Sequence, residues 1–157
     1  QDSSVRLLCQ IHKRIFTGVR GFAGLHRSPH FGSDRVNFYG SLRSPHKDEV
    51  PLRLQKILEK VQTCLLEWKG QEHQSNYDLV CIQLALKTHA DLIGLQPFED
   101  GNKRTSRAFM NWLLIKFGLR PIAFEVVQQD YALCMVTYLE TKNLEPLLSL
   151  ALGVYDI

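Results

Sequence analysis

Residues 96–107, Gln-Pro-Phe-Glu-Asp-Gly-Asn-Lys-Arg-Thr-Ser-Arg, have side chains and turn chemistry suited to binding phosphate. Pro97 ends a preceding apolar helical stretch, and the run from Asp100 to Asn102 is typical of a tight turn that gathers backbone N–H groups into a concave nest. A second helix is predicted to begin at Asn102. Because the first N–H groups of a helix lack partners within it, its N-terminus would add to the same anion site.

The charged side chains of this segment favour the same chemistry. Arg104 and Arg107 are three residues apart and therefore share one helix face, and two guanidinium groups suit a di- or triphosphate. Asp100 offers a carboxylate oxygen to Mg²⁺, which commonly bridges phosphate oxygens. The plainer alternative is a surface helix whose charges contact only water. The position of the cations argues against this alternative. A cation such as Lys103 at a helix N-terminus interacts unfavourably with the helix dipole, and an anion lying between the cations would offset that cost.

The elements that must position this segment are mostly helices. Apolar residues recur at helical spacing, with glycine or proline near the ends of several stretches. The predicted helices are Ser4 to Phe16, Pro51 to Trp68, Asn76 to Leu95, Asn102 to Phe117, Gln128 to Glu140 and Leu144 to Leu152. Between His26 and Val50 the chain is irregular, and Val36, Phe38 and Leu42 indicate a short hairpin. The sequence predicts an all-α fold, a bundle of five to six helices with a short β-hairpin, in a single domain over residues 1–157.

Composition excludes several classes of protein. The chain has 157 residues, 45% hydrophobic and 22% charged, which is enough apolar surface for a folded core and too little for intrinsic disorder. The net charge of +3 is mildly basic and arranged without long basic stripes, so no nucleic-acid partner is predicted. No apolar run reaches the roughly 18 residues of a membrane span. The four cysteines are far apart, and we expect buried free thiols.

The segment resembles the signature of the Fic family, His-Pro-Phe-x-(Asp/Glu)-Gly-Asn-(Gly/Lys)-Arg-x-x-Arg. Eleven consecutive positions, Pro97 to Arg107, follow that pattern, and the first does not. The flanks also resemble the family over essentially the whole chain. These flanking matches are Ile11 to Gly24, Val50-Pro51, His89, Pro121 and Asn143 to Leu147.

The resemblance implies a fold and an activity. Fic proteins mostly transfer AMP from ATP to a hydroxyl of a target protein. By this resemblance Asp100 would hold Mg²⁺, and Gly101 and Asn102 would cradle the phosphates in a loop over residues 96–104. Lys103, Arg104 and Arg107 would complete the nucleotide site, with the arginines on the outer phosphates. The hairpin, at about 30–45, would be the family's flap, which docks the target as an added strand.

Gln96 departs from the family pattern, which has a histidine at this position. An imidazole titrates near neutrality and can accept the proton of the attacking hydroxyl, whereas a glutamine amide can only orient that hydroxyl. Loss of a general base costs roughly 10²- to 10⁴-fold in rate, so we expect AMP transfer to be weak or lost while nucleotide binding persists. Lys103 resembles the Doc branch, which phosphorylates its target, although lysine also occurs in other members.

Three functions therefore stay open at the level of sequence. The chain is a weak AMP-transferring enzyme or a Doc-like phosphotransferase, a nucleotide-binding pseudoenzyme, or a helical protein-interaction module. His89 lies on an apolar helix face, where a core role is more common than catalysis. If a glutamate inhibits the domain, we expect that glutamate to lie in a segment outside these 157 residues or on a separate chain. By resemblance, the protein would act in a bacterial cytoplasm or after delivery into a host cell.

Overall fold

The computed structural model describes residues 3–124 and 128–155. Within them the chain forms six α-helices and one antiparallel hairpin, which confirms the predicted all-α class. The helices are α1 (Ser3–Phe16), α2 (Val50–Glu67), α3 (Tyr77–Leu95), α4 (Asn102–Lys116), α5 (Gln128–Thr141) and α6 (Glu145–Tyr155), and the strands are β1 (Asn37–Phe38) and β2 (Leu42–Arg43). Each predicted helix is present, with ends that coincide with the prediction or differ from it by at most three residues.

Helix α3 forms the centre of the bundle. It packs against α2, α4, α5 and α6. Most of its residues are buried, from Tyr77 to Leu95, so it is apolar on nearly all sides, as a central helix must be. In contrast, α2 buries one stripe, Val50, Leu54, Leu58 and Val61, at the spacing expected of a helix with an exposed outer face.

The connection between α3 and α4 carries the predicted chemistry, and α1 lies against α4. Helix α3 ends because Gln96 adopts the left-handed conformation (φ 49°), and Pro97 follows it. Helix α4 begins directly after Gly101, which is also left-handed. We call residues 96–104, which are the connection together with the first turn of α4, the motif loop. Its two ends are fixed by the ends of two packed helices, which limits how far the loop can rearrange.

The hairpin pairs Asn37 with Arg43 and Phe38 with Leu42. Its turn requires positive φ at Tyr39 and Gly40, at 45° and 76°. It lies within the predicted range of residues 30–45, and this range is called the flap below. In the described part of the chain, no helix is both long and apolar enough to cross a membrane.

The cysteines depart in part from expectation. All four are free thiols, but only Cys81 is fully buried. Cys9, Cys64 and Cys134 lie at the margins of buried helix faces and are half-buried.

Candidate active site

A cavity of about 530 Å³ separates the flap from the motif loop. The flap contributes residues 36–39, and the motif loop contributes Gln96 and residues 99–104. Six of the seven predicted site residues are therefore brought together. The seventh, Arg107, lies one turn further along α4 and does not line this cavity.

The first turn of α4 faces this cavity and has no side-chain cap. The N-cap residue of α4, Gly101, has a φ of 78°, and the ring of Phe16 packs where a Cβ atom would be. Only glycine therefore fits here, both in conformation and in space. The carboxylate of Asp100 accepts the N–H of Gly101 at 2.6 Å, which fixes the turn that precedes the helix. The uncapped N–H groups at this end form a site where an anion is stabilised.

Two cationic side chains lie beside the N-terminus of α4. Lys103 and Arg104 are both exposed, and neither forms an ion pair with any other described residue. The guanidinium of Arg104 lies 4.6 Å from the ring centre of Phe16, and the Lys103 ammonium lies 5.7 Å from that of Tyr39. Desolvation, and next the charge of Arg107, lowers the pKa of Lys103. An anion placed between these cations would relieve their repulsion.

Arg107 is positioned by a buried aromatic pair. Its guanidinium lies 4.5 Å from the ring centre of Tyr131, whose hydroxyl is hydrogen-bonded to Nε2 of His89 at 2.7 Å. His89 is fully buried, and burial, followed by the charge of Arg107, lowers its pKa to about 3. An imidazole without access to the cavity cannot receive a substrate proton. His89 is therefore a core residue, as its position on an apolar face predicts.

Gln96 is almost enclosed, with 7% of its surface exposed. Its Nε2 donates to the carbonyl of Ile93 at 2.7 Å, and its Oε1 accepts from Nδ2 of Asn102 at 3.1 Å. An amide oxygen has two lone pairs, so one acceptor direction is left for a substrate hydroxyl. The side chain can orient such a group but cannot take its proton.

The side chain of Asn102 braces the motif loop from inside. Its Oδ1 accepts the N–H of Phe98 at 2.8 Å, and its Nδ2 donates to the Phe98 carbonyl and to Gln96. All three contacts lie within the loop, and the residue is buried. The side chain therefore shapes the loop, and only the backbone N–H of Asn102 is left to join a phosphate cradle.

Residues distant in sequence anchor the motif loop, a role that is not evident from the sequence. His12 on α1 accepts the N–H of Gly24 at Nδ1, so Nε2 carries the proton and donates to the Asp100 carbonyl at 3.0 Å. Its ring is stacked on Phe98 with centroids 3.9 Å apart. The sequence feature that could have indicated this role is a histidine on an otherwise apolar helix face.

Arg27 connects the flap region to the same loop. It is fully buried and donates Nε to the Gln96 carbonyl at 2.7 Å and Nη2 to the Leu95 carbonyl at 3.0 Å. It also donates to the carbonyl of Ser33 and the hydroxyl of Ser44, at the two ends of the flap. Nothing in the sequence around Arg27 indicates this role.

Glu99 forms a second link between loop and flap. Its carboxylate accepts the N–H of Ser33, and it accepts the Ser33 hydroxyl at 2.9 Å. Glu99 occupies the variable position of the signature. In this chain the residue at that position connects the motif loop to the flap.

The donor set suits Mg²⁺ rather than a metal held by the protein alone. Within the described residues no group of three His, Cys, Asp or Glu side chains could hold a metal ion. Asp100 is half-exposed and offers a single carboxylate beside the anion site. Mg²⁺ is commonly bound in this way, by one or two carboxylates together with phosphate oxygens and water.

Comparison with known proteins agrees with this geometry. Residues 2–114 match the model of the Fic/DOC family. The protein adenylyltransferase Fic of Drosophila virilis is 42% identical over 131 residues, which cover 82% of this chain and 24% of that protein. The chain spans about a quarter of the length of the curated relatives it matches.

Solved structures share the fold. The N-terminal FIC domain of Bep8 from Bartonella sp. 1-1C has a TM-score of 0.76 at 20% identity, covering 98% of this chain and 73% of that one. BepC from Bartonella tribocorum, solved with bound AMPPNP, has a TM-score of 0.73 at 18% identity, covering 96% and 73%. With the family model matching most of its length, this chain belongs to the Fic/DOC family.

Proposed function

We propose that this chain is a Mg·ATP-binding Fic domain related to protein AMP-transferases, in which transfer to a target hydroxyl is weak or lost. The observation that carries the proposal is the uncapped N-terminus of α4, flanked by Lys103 and Arg104 without acidic partners in the described chain. A helix end and two cations facing one cavity form a site that needs an anion of several charges.

ATP fits this site in charge and in size. Its phosphates would lie against the α4 N-terminus, with backbone N–H groups of the motif loop and Arg104 as donors. Asp100 would hold Mg²⁺, which when bound neutralises phosphate charge. Arg107 lies over Tyr131, one turn beyond the cavity lining, and by the family pattern it would reach the outer phosphates. The cavity of about 530 Å³ has the volume of a typical small-molecule site.

The proposed weakness of transfer follows from Gln96. A target hydroxyl next to Oε1 of Gln96 would be oriented by a hydrogen bond, and its proton would find no base there. The two nearby carboxylates have other roles in this proposal, since Glu99 accepts from Ser33 and Asp100 would hold Mg²⁺. We therefore expect substrate positioning without efficient proton removal. The target protein would lie along the flap.

Lys103 favours a second candidate, Doc-like phosphoryl transfer. Its ammonium is exposed at the cavity and is positioned over the ring of Tyr39. Phosphoryl transfer passes through a loose transition state in which charge stabilisation matters more than base strength. A site with Gln96 and Lys103 would lose less in that reaction than in AMP transfer.

The experiment compares the chain with Gln96→His, using ATP labelled at the α- or the γ-phosphate, with Mg²⁺ and a cell lysate. Isothermal titration of Mg·ATP is done in parallel, with Asp100→Ala and Arg104→Ala as the variants that should lose binding.

The proposal expects Mg·ATP binding to both forms, and α-label in protein at least 100-fold higher with Gln96→His. Label from the γ-phosphate alone would favour the second candidate. Absence of Mg·ATP binding, or binding that Asp100→Ala and Arg104→Ala both leave unchanged, would contradict the nucleotide function. Nucleotide binding with no label from either form would support a pseudoenzyme.

A further inference from the structure

A second concavity, of about 410 Å³, lies on the other side of the flap. Its floor is apolar and comes from the flap, α2, α3 and α5. The floor consists of Phe38, Leu42, Ile57, Leu95 and Leu139. Gly94 lets Leu139 pack directly against α3 in this floor, because a Cβ atom there would lie only 2.8 Å from the Leu139 side chain. We call this concavity the flap groove.

The rim of the flap groove is strongly cationic. Arg43, Arg53, Lys56 and Lys142 line it, and all four are exposed. Arg53 is paired with Glu49 at 2.6 Å, whereas the other three cations form no ion pair within residues 3–124 and 128–155.

The one carboxylate of the flap groove does not neutralise this rim. Asp91 accepts from the ammonium of Lys87 at 2.5 Å and from the hydroxyl of Tyr138 at 2.6 Å. Both of its oxygens are thus engaged on α3 and α5. The unpaired charge of the groove is therefore positive, around an apolar floor.

The flap groove adjoins the candidate active site. Phe38 lines both concavities, and the consecutive residues Leu95 and Gln96 line one each. A chain segment seated in the groove would therefore pass beside the flap. A residue a few positions along that segment would reach Gln96.

We propose that the flap groove binds an acidic polypeptide segment of the protein partner, in which Asp or Glu residues flank an apolar side chain. The apolar side chain would fill the floor, and the acidic residues would meet Arg43, Lys56 and Lys142. This inference rests on the proposed function only in taking the partner to lie along the flap. It names the chemistry by which that partner is selected.

The test measures fluorescence anisotropy with a fluorescein-labelled twelve-residue peptide, one Leu and one Thr among Asp and Glu, without nucleotide. Two further peptides carry Lys in place of the acids, or Ser in place of the Leu. The groove variant is R43E/K56E/K142E. Its matched control is R14E/K69E/K116E, which changes the net charge equally at exposed positions outside the groove.

We expect the groove variant to lose at least tenfold in affinity for the acidic peptide, and the control to stay within twofold. The Lys and Ser peptides should bind at least tenfold more weakly than the acidic one. Equal losses in both variants would reduce the effect to net charge and overturn the proposal. So would acidic and Lys peptides of equal affinity, or sedimentation showing that the groove variant dissociates a dimer, which would assign the groove to a second copy.

Because the assay contains no nucleotide, its outcome is separate from that of the transfer experiment. Peptide binding without AMP transfer would leave the groove assignment standing. Mg·ATP binding and transfer with no acidic-peptide preference would overturn the groove assignment alone.

Discussion

Arg27→Met tests whether one buried side chain fastens the flap region to the motif loop. Methionine has a similar length and no charge, so it fills most of the space while removing every hydrogen bond that the side chain makes. Arg27 makes four bonds of 3.2 Å or shorter, to the carbonyls of Leu95, Gln96 and Ser33 and the hydroxyl of Ser44. Three of these bonds are buried, those to the two carbonyls at the C-terminus of α3 and that to the Ser44 hydroxyl. The hydroxyl also accepts the N–H of Val36, so it keeps a donor without Arg27.

The magnitude follows from those two carbonyls. A buried acceptor left without a donor costs about 1–3 kcal/mol, so two cost about 2–6 kcal/mol. The charged guanidinium is itself expensive to bury, and burial lowers its pKa, so its removal returns part of that cost. We expect a net loss of about 2–4 kcal/mol in the free energy of unfolding, or a Tm lower by roughly 4–16 °C for a chain of this size.

Urea and thermal unfolding followed by circular dichroism measure this loss. Arg35→Met is the matched control, since Arg35 is exposed and donates one bond, to the Ser44 carbonyl at 2.9 Å. It should cost about 1 kcal/mol or less. Hydrogen exchange should also show faster exchange of the Ser44 amide, which donates to the Val36 carbonyl, in Arg27→Met.

An Arg27→Met variant that unfolds within 1 kcal/mol of the unsubstituted chain and exchanges its flap amides at the same rate would contradict this prediction. That result would mean that water replaces the guanidinium without cost, and that the bonds from Arg27 do not position the loop.

Two further predictions concern Gly101 and His89. Gly101→Ala should destabilise the fold by about 2–4 kcal/mol and abolish Mg·ATP binding, because it combines a clash with Phe16 and a left-handed φ. Gly118→Ala, with φ 79° and open space around the added Cβ, should show only the conformational cost of about 1–2 kcal/mol by urea unfolding; equal losses would exclude the clash. His89 has a lowered pKa of about 3 in the fold, so the unfolded chain binds its proton more tightly. Its contribution is complete above about pH 6.5 and is lost as the pH falls, by about 2 kcal/mol between pH 7.5 and 5. His89→Gln should remove that part of the pH dependence of unfolding and His30→Gln, at an exposed position, should retain it; the same slope in both variants would contradict the assignment.

Local features of the sequence were sufficient for the helices and for the segment that carries the chemistry. The buried stripe of α2 repeats at helical spacing within one element, and the turn from Asp100 to Asn102 needs only its own residues and those adjacent. His89 on an apolar face was likewise readable as a core residue. Such features depend on neighbours within a few positions, and those are visible in the sequence.

Only the tertiary structure decided how the motif loop is held and which way its side chains face. The bond from His12 to Asp100 spans 88 residues, and that from Arg27 to Gln96 spans 69. Asn102 turned inward because Phe98 and Gln96 offered buried groups that needed partners. The flap groove likewise exists only where four separate elements meet. The hydrogen-bond partner of a polar side chain depends on which groups folding brings near it. When the side chain is buried it must find such a partner, because a buried polar group without one costs more free energy than a hydrogen bond contributes to stability.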